Sequence, residues 1–329
     1  MSSPGLRTER RCPRGDAETT SRRELVCEGV TKEFSGGKVA LSSVSFSTGT
    51  SGVFTLIGRN GAGKTTLTRI LATLLEPSAG RAMINGMDVM NDAGELRKLI
   101  AVVPQEGRTI SWMTPRQTIS SYLMWRGTGY SESMKTADDA MKRVGIEAYS
   151  RRMNSTLSGG IKRKVLVAMV LASDAEVVFL DEPTTGLDPI SRRQLWDVLV
   201  ELGEKRFVFL TTHYLEEAEA VSGRIGILSD GRLISLGTMD ELRAQVKYRY
   251  TLRIPRGDVR LPGFEGEQFR RRDGELQVIT TEQDAVRISQ ELVNQKVKFS
   301  MNPVDLDGIF YRKVSEDERE RRQSGDGTP

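Results

Sequence analysis

Four short apolar runs, "FTLIG", "IAVVPQ", "VVFLDEP" and "FVFLTTH", constrain the fold of this 329-residue chain more than any other feature. Each is rich in β-branched or aromatic residues and stops abruptly at polar ones. Apolar runs without polar alternation fit strands buried on both faces, as in a parallel sheet covered by helices. The expected fold class is therefore α/β. In such sheets ligands bind beyond the carboxyl ends of the strands. Those ends carry Gly58, Gln105, the pair Asp181 and Glu182, and His213, the only histidine in the chain. A lone histidine is more often structural than catalytic, so its neighbours must decide its role.

Bulk properties exclude several classes. No stretch of about 18 apolar residues exists, so no segment reads as membrane-spanning. The start, "MSSPGLRTERRCPRG", lacks the apolar region of a secretory signal. Its arginines fit a transit peptide weakly, and Glu9, Asp16 and Glu18 oppose that reading, so residues 1–23 are expected to be a disordered leader. The net charge is +4, from 48 basic and 44 acidic residues, and six arginines against three acids put +3 of it in the leader. The remaining +1 is no nucleic-acid footprint. Cys12 and Cys27 form neither a disulfide framework nor a zinc set, which fits a reducing cytosol.

Between the runs the pattern turns helical. Thr114 followed by Pro115 is a good helix start, and "SYLMWRG" and "KTADDAMKRVG" have helical spacing, so about 108–165 is expected to be a helical insertion. From 247 to 314, "YRYTLRIP", "ELQVITT", "DAVRISQELVNQ" and "KVKFSM" predict a small α+β appendage. The final stretch 315–329, "SEDERERRQSGDGTP", is almost free of apolar residues and is expected to be disordered.

Three motifs carry chemistry. "GRNGAGKTT" spans Gly58, Arg59, Asn60, Gly61, Ala62, Gly63, Lys64, Thr65 and Thr66, and matches the phosphate-binding pattern between a strand and a helix. Its glycines let backbone N–H groups wrap phosphates at a helix N-terminus. Lys64 would reach the β- and γ-phosphates, and Thr65 would offer its hydroxyl to Mg²⁺. In "VVFLDEP", Asp181 is placed to hold Mg²⁺ and Glu182 to orient or deprotonate water, although either acid alone could be a helix cap. In "LSGGIKRKV", Ser158, Gly159 and Gly160 precede an apolar, basic helix and could bind a second anion or simply cap it.

With these motifs in order, the chain resembles the nucleotide-binding subunits of ATP-binding cassette (ABC) transporters over residues 24–246. The resemblance rests on "GRNGAGKTT" (Walker A), "VVPQE" (Q-loop), "LSGGIKRKV" (signature), "VVFLDEP" (Walker B), "TTGLDP" (D-loop) and "TTHYLEEAE" (switch). The wording is most similar to the drug-exporter branch, whose membrane subunits are encoded separately. It implies a P-loop NTPase cassette with a mixed sheet, a helical subdomain and the small appendage.

The same resemblance implies ATP and Mg²⁺ as ligands and assigns roles to matched positions. Phe34 would lie against adenine, a core position being its alternative. Gln105 would touch Mg²⁺ and the attacking water. Ser158 and Gly160 would bind the γ-phosphate held by a second cassette, most simply another copy, with Gly186 and Asp188 across that interface. His213 would contact the γ-phosphate opposite Glu182. The implied partner is a transmembrane permease subunit on the inner face of the cell membrane, with no nucleic acid. Two departures stand out: Ile161 where the family often has Gln or Met, and Arg59 where it often has Pro. The rival class is an ABC-type ATPase acting on DNA or the ribosome. It would need long coiled coils or two cassettes per chain, and neither pattern is present.

Overall fold

The computed structural model describes residues 24–255, 259, 261–270 and 274–324. The expected leader 1–23, Cys12 and the last five residues lie outside the described residues. The chain begins with strands β1 (Glu24–Phe34), β2 (Lys38–Gly49) and β3 (Val53–Ile57), then helix α1 (Lys64–Leu71). There follow β4 (Ala79–Ile84), β5 (Met87–Asp88), α2 (Ala93–Leu99) and β6 (Ile100–Val103). Next come helices α3 (Pro115–Trp125), α4 (Tyr130–Arg143) and α5 (Gly159–Ala172). The chain re-enters the sheet through β7 (Val177–Asp181), α6 (Pro189–Lys205), β8 (Phe207–Thr212) and α7 (Leu215–Val221). Strands β9 (Arg224–Ser229) and β10 (Arg232–Gly237) and helix α8 (Met239–Ala244) precede the C-terminal part. That part contains β11 (Tyr250–Ile254), β12 (Gly266–Arg270), β13 (Leu276–Thr280), α9 (Glu282–Asn294), β14 (Ser300–Pro303) and α10 (Leu306–Ser324).

The four apolar runs all enter one six-stranded sheet of order β10-β9-β3-β8-β7-β6. Its pairs are parallel except β9 with β10, which form an antiparallel hairpin at the edge. Every residue of β3, β7 and β8 is buried, which is why these strands show no polar alternation. A second, antiparallel sheet of order β2-β1-β4-β5 faces one side of the first. The two sheets are joined by stacked rings: Phe46 on Phe54 at 5.5 Å and Phe54 on Phe209 at 5.2 Å, with Phe179 tilted against Phe209. Such pairs are worth about 0.5–1.5 kcal/mol each beyond area burial.

The opposite face of the main sheet is covered by α6 and the helical insertion. Helix α3 starts as its sequence dictates: Thr114 and Gln117 form a reciprocal capping box and Pro115 takes the first helical position. The insertion packs Ile119, Leu123, Ala137, Met141 and Val165 into a core continuous with Val178 and Leu180. Its last helix, α5, runs without a break to Ala172, beyond the expected limit near 165, because Val167, Val170 and Leu171 stay buried against the sheet.

The C-terminal part is a four-stranded antiparallel sheet of order β12-β13-β11-β14. Helix α9 lays Ala285, Ile288 and Leu292 on Leu252, Ile254 and Val278. Val304, Leu306 and Ile309 join a cluster with Ile57, Ile225 and Leu242 of the main body, tying the two parts together. One expectation is corrected here. Residues 315–324 are not disordered but continue α10. Their charges find partners on the main body: Arg321 bonds Asp230 at 2.9 Å and the Ser229 carbonyl at 3.1 Å, and Glu318 pairs with Arg59 at 2.8 Å. An amphipathic reading misses such a helix because ion pairs, rather than apolar contacts, hold its end.

Candidate active site

The phosphate-binding loop leaves β3 at Gly58 and enters α1 at Lys64. Its glycines are required by close approach as well as by conformation. A Cβ at Gly58 would lie 2.4 Å from the Leu228 carbonyl oxygen, and one at Gly63, whose φ is +103°, would lie 2.5 Å from that of Ala40. Lys64 is almost fully buried, and its ammonium donates to the carbonyls of Gly58 at 2.8 Å and Arg59 at 3.1 Å. Burial pushes its pKa down, and the nearby carboxylates of Glu182 and Asp181 push it back up. The turn after β9 braces the loop from outside, Gly231 N–H donating to the Ala62 carbonyl at 3.0 Å.

Glu182 is the centre of the cleft. Its Oε1 is 3.8 Å from Lys64 Nζ, and its Oε2 accepts from Gln105 Nε2 at 3.3 Å and from Thr185 Oγ1 at 3.2 Å. Nδ1 of His213 is 3.2 Å from the same Oε2, off-line for a hydrogen bond. Thr65 Oγ1 donates to Gln105 Oε1 at 3.3 Å. Asp181 is buried and accepts from the Thr211 hydroxyl. Glu182 adopts φ +50°, a left-handed conformation that costs a non-glycine residue about 1–3 kcal/mol and clusters at functional sites. The bend turns its side chain off the strand axis and into the cleft.

The cleft measures about 260 Å³ and is lined by Phe34, Lys38, Ala40, Asn60, Gly61, Gly63, Lys64, Thr65, Thr66, Gln105 and Glu182. Phe34 is 40% exposed on the cleft wall, so it is a surface ring and not a core residue. Arg59 turns away from the cleft to Glu318. Ala62 packs its methyl into the core beneath the loop, and its carbonyl accepts from Gly231 N–H.

Ser158, Gly159, Gly160, Gly186 and Asp188 do not line this cleft. Ser158 caps α5, accepting from Ile161 N–H at 3.4 Å, and Asp188 caps α6 through Ile190 and Ser191 N–H. Hydrogen bonds from Ser191 hold the Asp188 carboxyl below the usual carboxylate range. Gly159 and Gly186 line a separate groove of about 470 Å³ with Gln105, Arg108 and Lys162. Gln105 is the residue shared by both.

Besides the buried Lys164, two buried charged residues escaped the sequence reading. The Arg163 guanidinium reaches the carbonyls of Pro104, Gln105, Asp181, Glu182 and Pro183. Glu217 is fully buried and accepts from Trp196 Nε1 at 3.2 Å, and burial raises its pKa. Both were detectable as charges at helical spacing within apolar stripes, Arg163 with Val167 and Val170 and Glu217 with Val221.

This arrangement defines a class: a P-loop nucleotide hydrolase fold, with a cleft at the glycine-rich loop and a second glycine-headed helix outside it. The ABC transporter family matches residues 41–185. A daunorubicin resistance ATP-binding protein, DrrA3, of Streptomyces coeruleorubidus is 37% identical over 222 residues, covering 67% of this chain and 70% of that protein. ABC transporter A family member 7 of Dictyostelium discoideum is 36% identical over 231 residues, covering 70% of this chain but only 28% of that protein. Among solved structures, the dimeric bacterial ABC transporter cassette MJ0796 aligns with a TM-score of 0.61 at 24% identity, over 65% of this chain and 98% of that one, a likeness of fold. The chain belongs to the ABC transporter family as an ATP-binding, ATP-hydrolysing subunit. Among the described residues no helix is long and apolar enough to cross a membrane.

Proposed function

We propose that this cassette powers movement of a drug-like or lipid-like compound through a separately encoded transmembrane permease subunit, from the cytoplasmic face of the cell membrane. The observation that carries the reading is the position of Glu182, within reach of Lys64, Gln105, Thr185 and His213, while the signature residues stand outside the cleft. Two copies would then enclose two ATP molecules. Each site would use the cleft of one copy and Ser158, Gly159 and Gly160 of the other, with Asp188 and Gly186 at the interface. The name of the Streptomyces relative supports export of a drug-like compound, and the MJ0796 dimer supports pairing of cassettes.

Phe34 would face adenine, while the loop Gly58–Thr66 would cradle the phosphates with its N–H groups. Water attacks the γ-phosphorus in line, its oxygen bonding to phosphorus as the bond to the β–γ bridging oxygen breaks and ADP leaves. Glu182 orients this water and accepts its proton, and Lys64 and His213 balance charge on the transferring group. Thr65, Gln105 and Asp181 present hard oxygen donors suited to Mg²⁺. When bound, Mg²⁺ would neutralise charge on the β- and γ-phosphates.

The test replaces the carboxylate by an amide. Glu182→Gln should stop hydrolysis while ATP gathers the protein into a dimer, detected by light scattering, and ADP should leave it monomeric. Adding Ser158→Arg should abolish the dimer and leave ATP binding intact. A double mutant that still dimerises with ATP would reduce the signature to a helix cap. Dimerisation of the single mutant only with a different cassette would replace the homodimer by a heterodimer.

A further inference from the structure

Arg163 lies five residues beyond Ser158, in the second turn of α5, and is only 7% exposed. A buried guanidinium must satisfy its donors or cost several kcal/mol. This one does so entirely on backbone carbonyls from two separate segments. Nη1 donates to Pro104 at 2.9 Å and Gln105 at 3.2 Å, at the end of β6. Nη2 donates to Glu182 at 2.8 Å and to Asp181, and Nε to Pro183 at 3.3 Å, at the end of β7. The two segments carry Gln105 and Glu182, whose side chains meet at 3.3 Å. The Glu182 carbonyl held by Arg163 belongs to the residue in the left-handed conformation.

We infer that Arg163 is a positioning residue that ties the signature helix to the backbone of Gln105 and Glu182, so that engagement of Ser158 and Gly160 by a second copy's ATP aligns the hydrolytic groups of its own copy. The inference rests on the roles proposed for Glu182 and the signature. Its physical basis is the planar fork of five N–H donors, which spans two chain segments at fixed geometry, whereas a lysine ammonium offers one point with three donors. A shift of Ser158 toward a phosphate moves α5 as a rigid body, and the guanidinium carries that displacement to both strand ends. Two hydrolytic sites in a dimer are thereby coupled.

The test compares Arg163→Lys, Arg163→Gln and Lys164→Met with wild type, using steady-state ATP hydrolysis and a fluorescent ATP analogue. Lys164 is buried in the same turn but, among the described residues, bonds Gln194 at 3.4 Å and lies in the field of Asp188 rather than reaching the backbone of Gln105 or Glu182, so it controls for the general cost of altering a buried cation there. Misplacing reacting groups by about 1 Å can cost about 10²-fold in rate, so both Arg163 variants should lose about 10–100-fold in kcat. Their KM should stay within about twofold, the pattern of a loss felt in the transition state. Cooperativity in ATP should disappear. Lys164→Met should melt lower yet keep the wild-type kcat per bound nucleotide.

Glu182→Gln serves as the reference. If it hydrolyses ATP at the wild-type rate, the reading of the site itself is wrong and the inference falls with it. If Glu182→Gln is slow while Arg163→Lys retains wild-type kcat and cooperativity, the inference alone is overturned. Loss of kcat in Lys164→Met equal to that in the Arg163 variants would also overturn it, as would an Arg163→Lys defect confined to ATP affinity. Normalising every rate to bound nucleotide keeps the comparison valid for a destabilised variant.

Discussion

The two glycine-headed helices, α1 and α5, begin in opposite ways. Helix α1 is preceded by Gly63 in the left-handed region, with no side chain capping it. Helix α5 is preceded by Ser158 in an extended conformation, its hydroxyl accepting from Ile161. Neither first turn holds an acid, so both ends keep the positive potential of the helix dipole. Around α1 the chain has gathered Lys64 and Glu182 in a cleft, with the buried Asp181 carboxylate close to the lysine. Around α5 lies an open groove lined by Arg108, Lys162 and Arg163 with hydroxyl and amide side chains, and no acid is among its lining residues. A terminus left uncapped beside a lysine and a carboxylate is, in the proposed function, a site completed within one copy. A terminus closed by its own serine is stable alone, and in the proposed function its anion would come from a second copy.

Four substitutions break or sharpen that contrast, in order of effect. His213→Ala, beside Glu182 but not itself lining the α1 cleft, should bind ATP normally and hydrolyse it about 10²–10⁴-fold more slowly, since positioned proton-transfer or charge-balancing groups carry that much rate. Lower melting with normal turnover would assign His213 a structural role instead. Lys64→Ala removes charge-assisted bonds worth about 1.5–3 kcal/mol each, so a nucleotide titration should show affinity weakened by at least about tenfold. Unchanged affinity would mean that α1 is not the phosphate end. Ser158→Ala at α5 should cost about 1 kcal/mol of stability through the lost cap and leave monomer affinity for ATP unchanged, by denaturant melt and titration. A fall in monomer affinity would erase the difference between the two termini. Glu318→Ala breaks an exposed pair beside the α1 loop and should change stability by under about 1 kcal/mol, with turnover unaltered. A larger effect would make α10 part of the phosphate loop's support.

What could be read before any fold was known follows from locality. Strands β3, β6, β7 and β8 announced themselves because burial on both faces removes polar alternation. The glycine-rich loop, the acids at the end of β7 and the histidine after β8 stood out because the chemistry proposed for each needs particular residues within a few positions of a strand end. Strand β9 beside β3, and the sharing of Gln105 between cleft and groove, are products of pairing order. Arg163 looked like one more cation in "IKRKV", and Glu318 and Arg321 like a solvated tail. Each found its partners across sequence separations that no short pattern encodes, 259 residues in the case of Arg59 and Glu318. Spacing along the chain determines which faces are apolar and which loops can hold phosphate. Only the packed sheet decides which distant carbonyls a buried guanidinium meets, because that contact exists only after the intervening strands have taken their order.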